Sequence, residues 1–292
     1  MPTDSIPRFD LAQVNRAVAG TEFAGRVQHL PTIPSTNSFA LAIAQSGARR
    51  GVWIADEQTA GRGRGTHAWH SAVGEGLYMS AIVAPPISAA VAQHLSFRTA
   101  IAVQSAIAST FGLAIREQID IRWPNDLMFA RPTGPQRKLG GILIETAANP
   151  APAHSAAMLR FAVIGAGVNL NHMVFPVELD PIATSIRREL PQLAAPLRRE
   201  PLAAAILIAL DEEIRTLIRM DRGTNNIPDR DFTQYSSWLS GKRVQVEQRD
   251  SNKGYSGTTA GLDTSGFLRV KADDGTVQTV LSGGIRELYA GL

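Results

Sequence analysis

The sequence of 292 residues contains no cysteine. Disulfide bonds, thiolate metal sites and cysteine nucleophiles are therefore excluded, and the composition fits a reducing cytoplasm. Long apolar runs are also missing, because the longest one, residues 202–210, is far shorter than the roughly 20 residues that span a bilayer. The amino terminus lacks a charged start followed by an apolar run. We therefore expect neither an export signal nor a membrane segment.

Excess charge of one sign is small, since the formal net charge is only +3. A protein whose main task is to bind nucleic acid usually carries a much stronger basic charge. Lysine is scarce too: Lys138 is the only lysine before Lys242, and arginine supplies most of the positive charge. Hydrophobic residues make up 44% and charged residues 19%, which is typical of a globular protein with a real core.

Several catalytic motifs are absent from the sequence. There is no G-x-x-x-x-G-K-[ST] segment, so a P-loop nucleotide site is unsupported. The histidines show no H-E-x-x-H spacing, and the sequence therefore predicts no particular metal ligands. No nucleophile elbow with a Ser-His-Asp order is visible, which argues against a hydrolase with covalent catalysis.

Hydrophobic periodicity and turn residues predict two domains, 1–237 and 238–292. In the first we predict helices and strands of a mixed α/β domain, with residues 139–145 and 158–168 as an antiparallel pair. The predicted helices are 11–19, 36–46, 88–111 and 202–220, and the other predicted strands are 52–56, 76–84 and 115–123. After about residue 241, short strands alternate with turn signals, which predicts a small β-barrel.

A glycine- and arginine-rich loop, residues 61–65 (Gly-Arg-Gly-Arg-Gly), follows the predicted strand 52–56. Alternating glycines let the backbone approach a ligand closely, and two arginines add fixed positive charge with planar donor groups. This combination suits a phosphate or a developing phosphoanhydride. A flexible linker is the alternative, but the preceding buried strand and the nearby Trp69 favour a ligand-binding loop.

Three further segments combine polar groups with chain turns. Lys138 precedes a buried strand and the pair Gly140-Gly141, so its ammonium could neutralise a carboxylate and a phosphate brought together; a solvated lysine is the alternative. Residues 122–126 (Arg-Trp-Pro-Asn-Asp) read as a turn or as an adenine-binding amide beside an acid that supports lysine or metal. Residues 35–37 (Ser-Thr-Asn) read as a helix N-cap that also offers hydroxyls and amides to a polar head group.

The order of these segments resembles the biotin protein ligase family. The matching residues are Ser-Thr-Asn at 35–37, Asp-Glu-Gln-Thr-Ala-Gly-Arg-Gly-Arg at 56–64 with Trp69, Arg-Trp-Pro-Asn-Asp at 122–126, Arg-Lys-Leu-Gly-Gly-Ile-Leu-Ile-Glu at 137–145, and Ile-Gly-Ala-Gly-Val-Asn at 164–169. The resemblance covers nearly the whole chain. It implies an α+β fold, with a mixed β-sheet flanked by helices as in class II synthetase-like biotin/lipoate ligases, and a small C-terminal SH3-like β-barrel.

The resemblance also implies an activity. Biotin and ATP with Mg²⁺ would give biotinyl-5′-AMP and pyrophosphate, and biotin would then pass to one lysine of the biotin carboxyl carrier protein of acetyl-CoA carboxylase. Lys138, Arg62 and Arg64 would be the catalytic cations, and the glycine-rich loop would act as a lid. We expect a cytoplasmic location, in line with the absence of cysteine, and because the family includes monomers and dimers, a homodimer is an open alternative.

The site residues that the resemblance implies form two groups. Gln58 would hold the ureido ring of biotin, and Trp69 would wall the adenine pocket. The biotin contacts would be Ser35, Thr36, Asn37, Gln58, Arg62, Gly63, Arg64, Lys138 and Gly141. The ATP side would consist of Trp69, Asn125, Asp126 and Asn169.

The chain departs from the family pattern in two places. Thr66 stands where the family loop has a glycine, and His67 stands at a usually Arg or Asn position, which bears on loop flexibility and on one phosphate or ribose contact. The segment before Ser35 is too short for the DNA-binding domain that some members carry. We therefore expect no specific DNA binding.

Three alternatives remain at this stage. A lipoate–protein ligase would share the catalytic fold, although the arginine loop and the C-terminal barrel favour biotin. A nucleic-acid-binding regulator is disfavoured by the low net charge and the missing recognition helix. A non-catalytic β-barrel interaction module would leave the long first domain unexplained.

Overall fold

The computed structural model describes residues 8–131, 134–150, 152, 155–193, 196–223, 232–247, 254–263, 266–280 and 284–288. The α-helices in this part of the chain are α1 (Leu11–Ala17), α2 (Thr36–Gln45), α3 (Leu95–Phe111), α4 (Ile186–Glu189) and α5 (Glu200–Asp221). The strands are β1 (Val27–Ile33), β2 (Gly51–Gln58), β3 (Gly76–Val83), β4 (Ile119–Arg122), β5 (Asp126–Phe129), β6 (Arg137–Ala148), β7 (Leu159–Asn169), β8 (Ser240–Glu247), β9 (Tyr255–Leu262), β10 (Leu268–Ala272), β11 (Val277–Val280) and β12 (Gly284–Glu287).

Seven strands form one mixed sheet in the order β1-β2-β3-β7-β6-β5-β4. Strand β1 runs parallel to β2, whereas the remaining neighbours pair antiparallel. The long β6–β7 pair is the predicted antiparallel pair. Together with the flanking helices, this sheet confirms the predicted α+β class.

The two faces of the sheet pack against different helices. On one face Val52, Ile54 and Leu77 join the main core, to which α3 and α5 contribute most of their buried residues. On the other face Trp53 and Ile82 pack with the buried alanines of α2. Alternation along each strand produces this division, because successive side chains point to opposite faces. Burying one such aliphatic side chain contributes about 1.5–3 kcal/mol.

The C-terminal strands form a separate antiparallel sheet in the order β11-β10-β9-β8-β12. Val244, Val246, Leu268 and Val270 are fully buried in it, in the alternating pattern of a small barrel. Its first strand begins at Ser240, just inside the predicted 238–292 domain. The two parts touch directly, since the Trp123 indole N–H donates to a backbone carbonyl of the turn at residue 266 at 3.3 Å.

Two predicted elements differ in extent from the observed ones. The helix predicted at 88–111 begins as a 3₁₀ turn, Val91–His94, before α3 starts at Leu95, and the Ser88 hydroxyl accepts the Val91 N–H at 3.3 Å. The strand predicted at 115–123 is a 3₁₀ helix, Leu113–Gln118, followed by the short β4. Gly112, at a φ of 110°, turns the chain there and accepts the Ile115 N–H, which favours a helical turn over an extended strand.

Three strands, β1, β5 and β12, were not predicted. Among the helices that the structure describes, none is both long and apolar enough to cross a membrane.

Candidate functional site

A cavity of about 700 Å³ opens on the α2 face of the mixed sheet. The start of α2, the end of β2, the loop 61–69 and strands β6 and β7 form its walls. Twelve of the thirteen predicted site residues line it: Ser35, Thr36, Asn37, Gln58, Arg62, Gly63, Arg64, Trp69, Asn125, Asp126, Lys138 and Gly141. These twelve residues, which lie between Ser35 and Gly141 in the sequence, therefore meet in one place.

The amino end of α2 is held against β2 by a polar network. Ser35 caps the helix by accepting the Ser38 N–H at 3.3 Å. Gln58 Oε1 accepts the Thr36 N–H at 2.9 Å and the Thr36 hydroxyl at 3.1 Å, and Gln58 Nε2 donates to Ser71 Oγ at 2.9 Å. The Gln58 amide is thus fixed in orientation at the amino end of α2, where Ser35, Thr36, Asn37 and Gln58 line the cavity together.

The arginine-bearing loop 61–69 forms a short hairpin. The Gly63 N–H donates to the His67 carbonyl at 2.7 Å, and the Trp69 N–H donates to the carbonyl of residue 61 at 2.8 Å. Arg62 and Ala68 form an antiparallel bridge, which leaves 64–66 as the tip. His67, one of the two departures from the family pattern, therefore supplies a backbone acceptor that closes the hairpin.

A carboxylate on β6 joins this hairpin to α2. Glu145 accepts both terminal nitrogens of Arg62, at 3.1 and 3.2 Å, and also accepts the Asn37 amide at 2.5 Å. Glu145 was not predicted as a site residue. Strand alternation could have identified it, because Glu145 lies on the same face of β6 as Gly141 and Leu143, and both of these line the cavity.

Lys138 lies at the start of β6 with its ammonium 2.7 Å from the Asp126 carboxylate. The ammonium is also 5.4 Å from the centre of the Trp69 ring, within the range of a cation–π contact. The second oxygen of Asp126 accepts Arg122 at 2.9 Å. Since the Lys138 side chain is 34% exposed, its charge can act on a ligand in the cavity.

The floor of the cavity is made of glycine backbone. A Cβ atom at Gly167 would lie 2.7 Å from the Trp69 indole, and one at Gly141 would lie 3.2 Å from it. The indole can therefore lie flat against β6 and β7 only because both positions lack a side chain. The buried Trp69 Nε1 lies against Gly167 and has no hydrogen-bond partner among the residues that the structure describes.

Two predicted ATP-side amides are engaged with backbone instead of pointing freely into the cavity. Asn125 Nδ2 donates to the Ile142 carbonyl at 2.8 Å, and the Ile142 N–H returns a hydrogen bond to the Asn125 carbonyl. Asn169 is buried and does not belong to the lining residues; its amide donates to the Thr184 carbonyl at 3.0 Å and more weakly to the Lys138 carbonyl. Asn169 thus lies directly behind Lys138.

Several lining residues were not predicted from the sequence. Tyr78 and Ser80 alternate on the cavity face of β3, and Glu247 and Ile285 reach the cavity from the barrel. Burial raises the pKa of the Tyr78 hydroxyl, which therefore stays protonated and donates to the carbonyl of residue 72 at 3.0 Å. Period-two alternation could have identified the two β3 residues, whereas the barrel residues depend on how the two domains meet.

A second cavity of about 610 Å³ adjoins the first. Arg64, Trp123 and Leu143 line both cavities, and Phe97 of α3 and Phe267 of the barrel line only the second. The second cavity has apolar walls of the two domains and lies next to the cationic loop tip.

The described residues include no group of three His, Cys, Asp or Glu side chains that could hold a metal ion. Two carboxylates of the site are already paired with cations, Asp126 with Lys138 and Glu145 with Arg62. The cations that line the first cavity, Arg62, Arg64, Arg122 and Lys138, outnumber its carboxylates, Asp126 and Glu247, so the cavity keeps an excess of positive charge.

Comparisons with known proteins agree with this architecture. Residues 30–168 match the Biotin/lipoate A/B protein ligase family, and residues 239–285 match the Biotin protein ligase C terminal domain. The chain is 31% identical to the Bifunctional ligase/repressor BirA of Bacillus subtilis over 87% of this chain and 72% of that protein. It is 33% identical to the Biotin--[acetyl-CoA-carboxylase] ligase of Mycobacterium tuberculosis over 73% of this chain and 71% of that protein.

A solved structure shares the fold. It is the biotin protein ligase from Aquifex aeolicus in complex with biotin and ATP, with a TM-score of 0.64 and 19% identity. The match covers 91% of this chain and 100% of that chain.

Proposed function

Because the chain belongs to the biotin protein ligase family, we propose that its cavity joins biotin to AMP and passes biotin to a lysine of the biotin carboxyl carrier protein of acetyl-CoA carboxylase. Family membership confirms the predicted class of enzyme, an ATP-dependent biotin–protein ligase. The observation that supports the finer proposal is the meeting of Lys138, the arginine loop and a glycine floor in one cavity.

The first step is formation of a mixed anhydride. A carboxylate oxygen of biotin attacks the α-phosphorus of ATP, the bond from that phosphorus to the bridging oxygen of the β-phosphate breaks, and pyrophosphate leaves. Two anionic groups must approach each other, so the site has to supply positive charge where they meet. Lys138 and Arg64, which line the cavity, would supply this charge.

Biotin would lie against α2 and β2, where the Gln58 amide and the hydroxyls of Ser35 and Thr36 can bind a polar ring. ATP would lie on the side of Trp69, whose indole presents an apolar face and a buried N–H. Asp126 would orient Lys138, to which it is paired. Asn125 and Asn169 would act by fixing the β6 backbone around that lysine.

Magnesium fits this site as part of the ATP substrate. Mg²⁺ keeps several waters and is usually held by one or two carboxylates together with substrate phosphates. Asp126 lines the cavity, but its two oxygens are paired with Lys138 and Arg122, and no cluster of three ligands occurs in the described ranges, so the phosphates of ATP and water would supply most of the Mg²⁺ ligands. Bound Mg²⁺ would neutralise charge on the departing pyrophosphate.

In the second step the neutral ε-amine of the acceptor lysine attacks the carbonyl carbon of the anhydride. The bond from that carbon to the phosphate oxygen breaks, AMP leaves, and the amine loses a proton as the amide forms. The second cavity offers a route for this side chain, because its apolar walls suit the aliphatic stem of lysine and it adjoins Arg64.

Biotin is favoured over lipoate by the match of residues 239–285 to a biotin ligase domain and by the names of the relatives. A cytoplasmic location, a homodimer and the lack of specific DNA binding stay predictions.

The direct test is incubation of the protein with biotin, MgATP and a biotin carboxyl carrier domain, followed by intact mass measurement. We expect the carrier to gain the mass of one biotinyl group, and a carrier with its acceptor lysine changed to arginine to gain nothing. A mass gain with lipoate and none with biotin would contradict the proposal.

A further inference from the structure

Arg62 and Asn37 come from different elements, yet both bind the same carboxylate. Glu145 receives two hydrogen bonds from the Arg62 guanidinium and one from the Asn37 amide. The guanidinium also donates to the Ser38 hydroxyl, in the first turn of α2, at 3.3 Å. The arginine loop is therefore tied to the start of α2 through a residue of β6.

The ion pair with Glu145 leaves the Arg62 guanidinium few free N–H groups for a ligand. Both of its terminal nitrogens face Glu145, in the side-by-side arrangement that is specific to arginine and carboxylate. Arg64 lies at the hairpin tip and lines both cavities. The two arginines of the loop thus have different surroundings, although each of them lies between two glycines in the sequence.

Asn37 links the same carboxylate to the predicted biotin side. Its Nδ2 donates to Glu145, and its Oδ1 accepts the Ser80 hydroxyl at 3.3 Å. The same Ser80 hydroxyl lies 2.9 Å from the Thr36 hydroxyl, so its one proton is shared between these two acceptors. A ligand that contacts residues 35–37 would therefore act on the network that holds the loop.

We propose that Glu145 is a positioning residue that latches the arginine loop to the amino end of α2, with Arg62 as the anchoring cation. In this account Arg62 holds the loop closed, while Arg64 and Lys138 face the reacting groups. The latch itself follows from the contacts above, whereas its effect on biotin rests on the proposed function. Glu145 acts through Arg62 and Asn37 and does not touch the reacting atoms.

The first experiment measures the latch without any ligand. Hydrogen–deuterium exchange of the backbone amides in 61–69 is compared between the wild type, Glu145→Gln and Glu212→Gln. The control removes the carboxylate from an Arg–Glu pair on α5, far from the cavity. We expect faster exchange in the loop only for Glu145→Gln, with exchange elsewhere unchanged. Equal loop exchange in all three proteins would overturn the latch.

The second experiment is a double-mutant cycle with Arg62→Met, read as the biotin dissociation rate and as KM and kcat in adenylate formation. The pair is partly exposed, so we expect Glu145→Gln to speed dissociation about 3- to 5-fold and to raise the KM for biotin more than it lowers kcat. The same change should have almost no further effect when Arg62→Met is already present. Additive effects would show that Glu145 acts independently of Arg62 and would overturn the proposal.

The two experiments separate the latch from the proposed function. If the wild type fails to biotinylate a carrier domain, the proposed function fails, but loop exchange in Glu145→Gln still decides whether the latch exists. If the wild type is active and loop exchange is unaffected, only the latch is wrong.

Discussion

Lys138 is the residue to which we assign the main charge-stabilising role in the proposed reaction. Its ammonium is paired with Asp126 and lies over the Trp69 ring, so it is held in place and remains partly exposed to the cavity. A fixed cation costs no reorganisation when charge develops in the transition state. The Asp126 pair therefore orients the lysine more than it stabilises the fold.

Replacing this lysine tests its role. Lys138→Met should lower the rate of biotin-dependent pyrophosphate release by about 10²–10³-fold, the usual effect of removing one preorganised donor. The thermal midpoint should change little, since the ion pair is partly exposed. Lys271→Met, on an exposed position of β10, is the control. Pyrophosphate release near the wild-type rate would show that Lys138 does not stabilise the reaction.

Arg64 is expected to retain the adenylate after it forms, because it lies at the tip of the loop between the two cavities. Arg64→Ala should speed dissociation of biotinyl-5′-AMP and increase labelling of lysines on proteins other than the carrier. Both can be measured by stopped-flow displacement and by mass spectrometry with a bystander protein. An unchanged dissociation rate would contradict a lid role for the loop tip.

Among the elements, strands β6 and β7 carry the part of the site that depends on missing side chains. Gly167→Ala would place a Cβ atom 2.7 Å from the Trp69 indole and push the ring off the floor. We expect a higher KM for ATP with a smaller change for biotin, together with altered tryptophan fluorescence. Gly20→Ala, which has open space around it, is the matched control. A larger increase in the KM for biotin than in the KM for ATP would contradict the assignment of Trp69 to the ATP side of the cavity.

The elements that could be predicted are those with strong patterns. Strands β6 and β7 are long, and glycine pairs and apolar runs mark them clearly. Strand β1 was missed because it is an edge strand that contains Pro31 and has mostly exposed or half-buried residues, so it lacks regular alternation. Strand β5 has only four residues, which is too short to show a period.

The same limits apply to the site. Motif order predicted which segments meet in the cavity, because each motif carries polar or glycine residues with a clear chemical use. It did not predict Glu145, whose importance depends on Arg62 and Asn37 reaching it from other elements. Nor did it predict that Asn169 lies behind Lys138. The sequence alone does not distinguish an asparagine that bonds to the backbone from one that bonds to a ligand.

At the scale of the whole molecule, the barrel and the mixed sheet both contribute residues to the lining of the first cavity. Trp123 bonds to the barrel at residue 266, and Ser237, just before the barrel begins, bonds to Asp120 through its N–H and its hydroxyl. Glu247 and Ile285 of the barrel line the catalytic cavity. The barrel therefore contributes directly to the walls around the ligand.

Stability should fall in acid because of a buried histidine. Burial, together with the nearby His70, lowers the pKa of His172 from its ordinary 6.5 to about 4. The unfolded chain therefore binds more protons than the folded one between these values, so the stabilisation is complete above pH 6.5 and is lost as the pH falls towards 4. The loss is on the order of 3 kcal/mol.

His172→Phe should remove most of this acid-side slope, since a phenyl ring can keep the stacking contact with Phe175. Urea unfolding of both proteins at a series of pH values from 7 to 4 measures the difference. Parallel curves for the two proteins would exclude His172 as the cause.

The central claim is that this cavity joins biotin to AMP before any acceptor is present. Biotin-dependent exchange of labelled pyrophosphate into ATP measures that step directly, without a carrier protein. The account predicts exchange that requires biotin and MgATP and that is largely lost in Lys138→Met. Exchange that needs the carrier, that proceeds with lipoate in place of biotin, or that survives intact in Lys138→Met would contradict it.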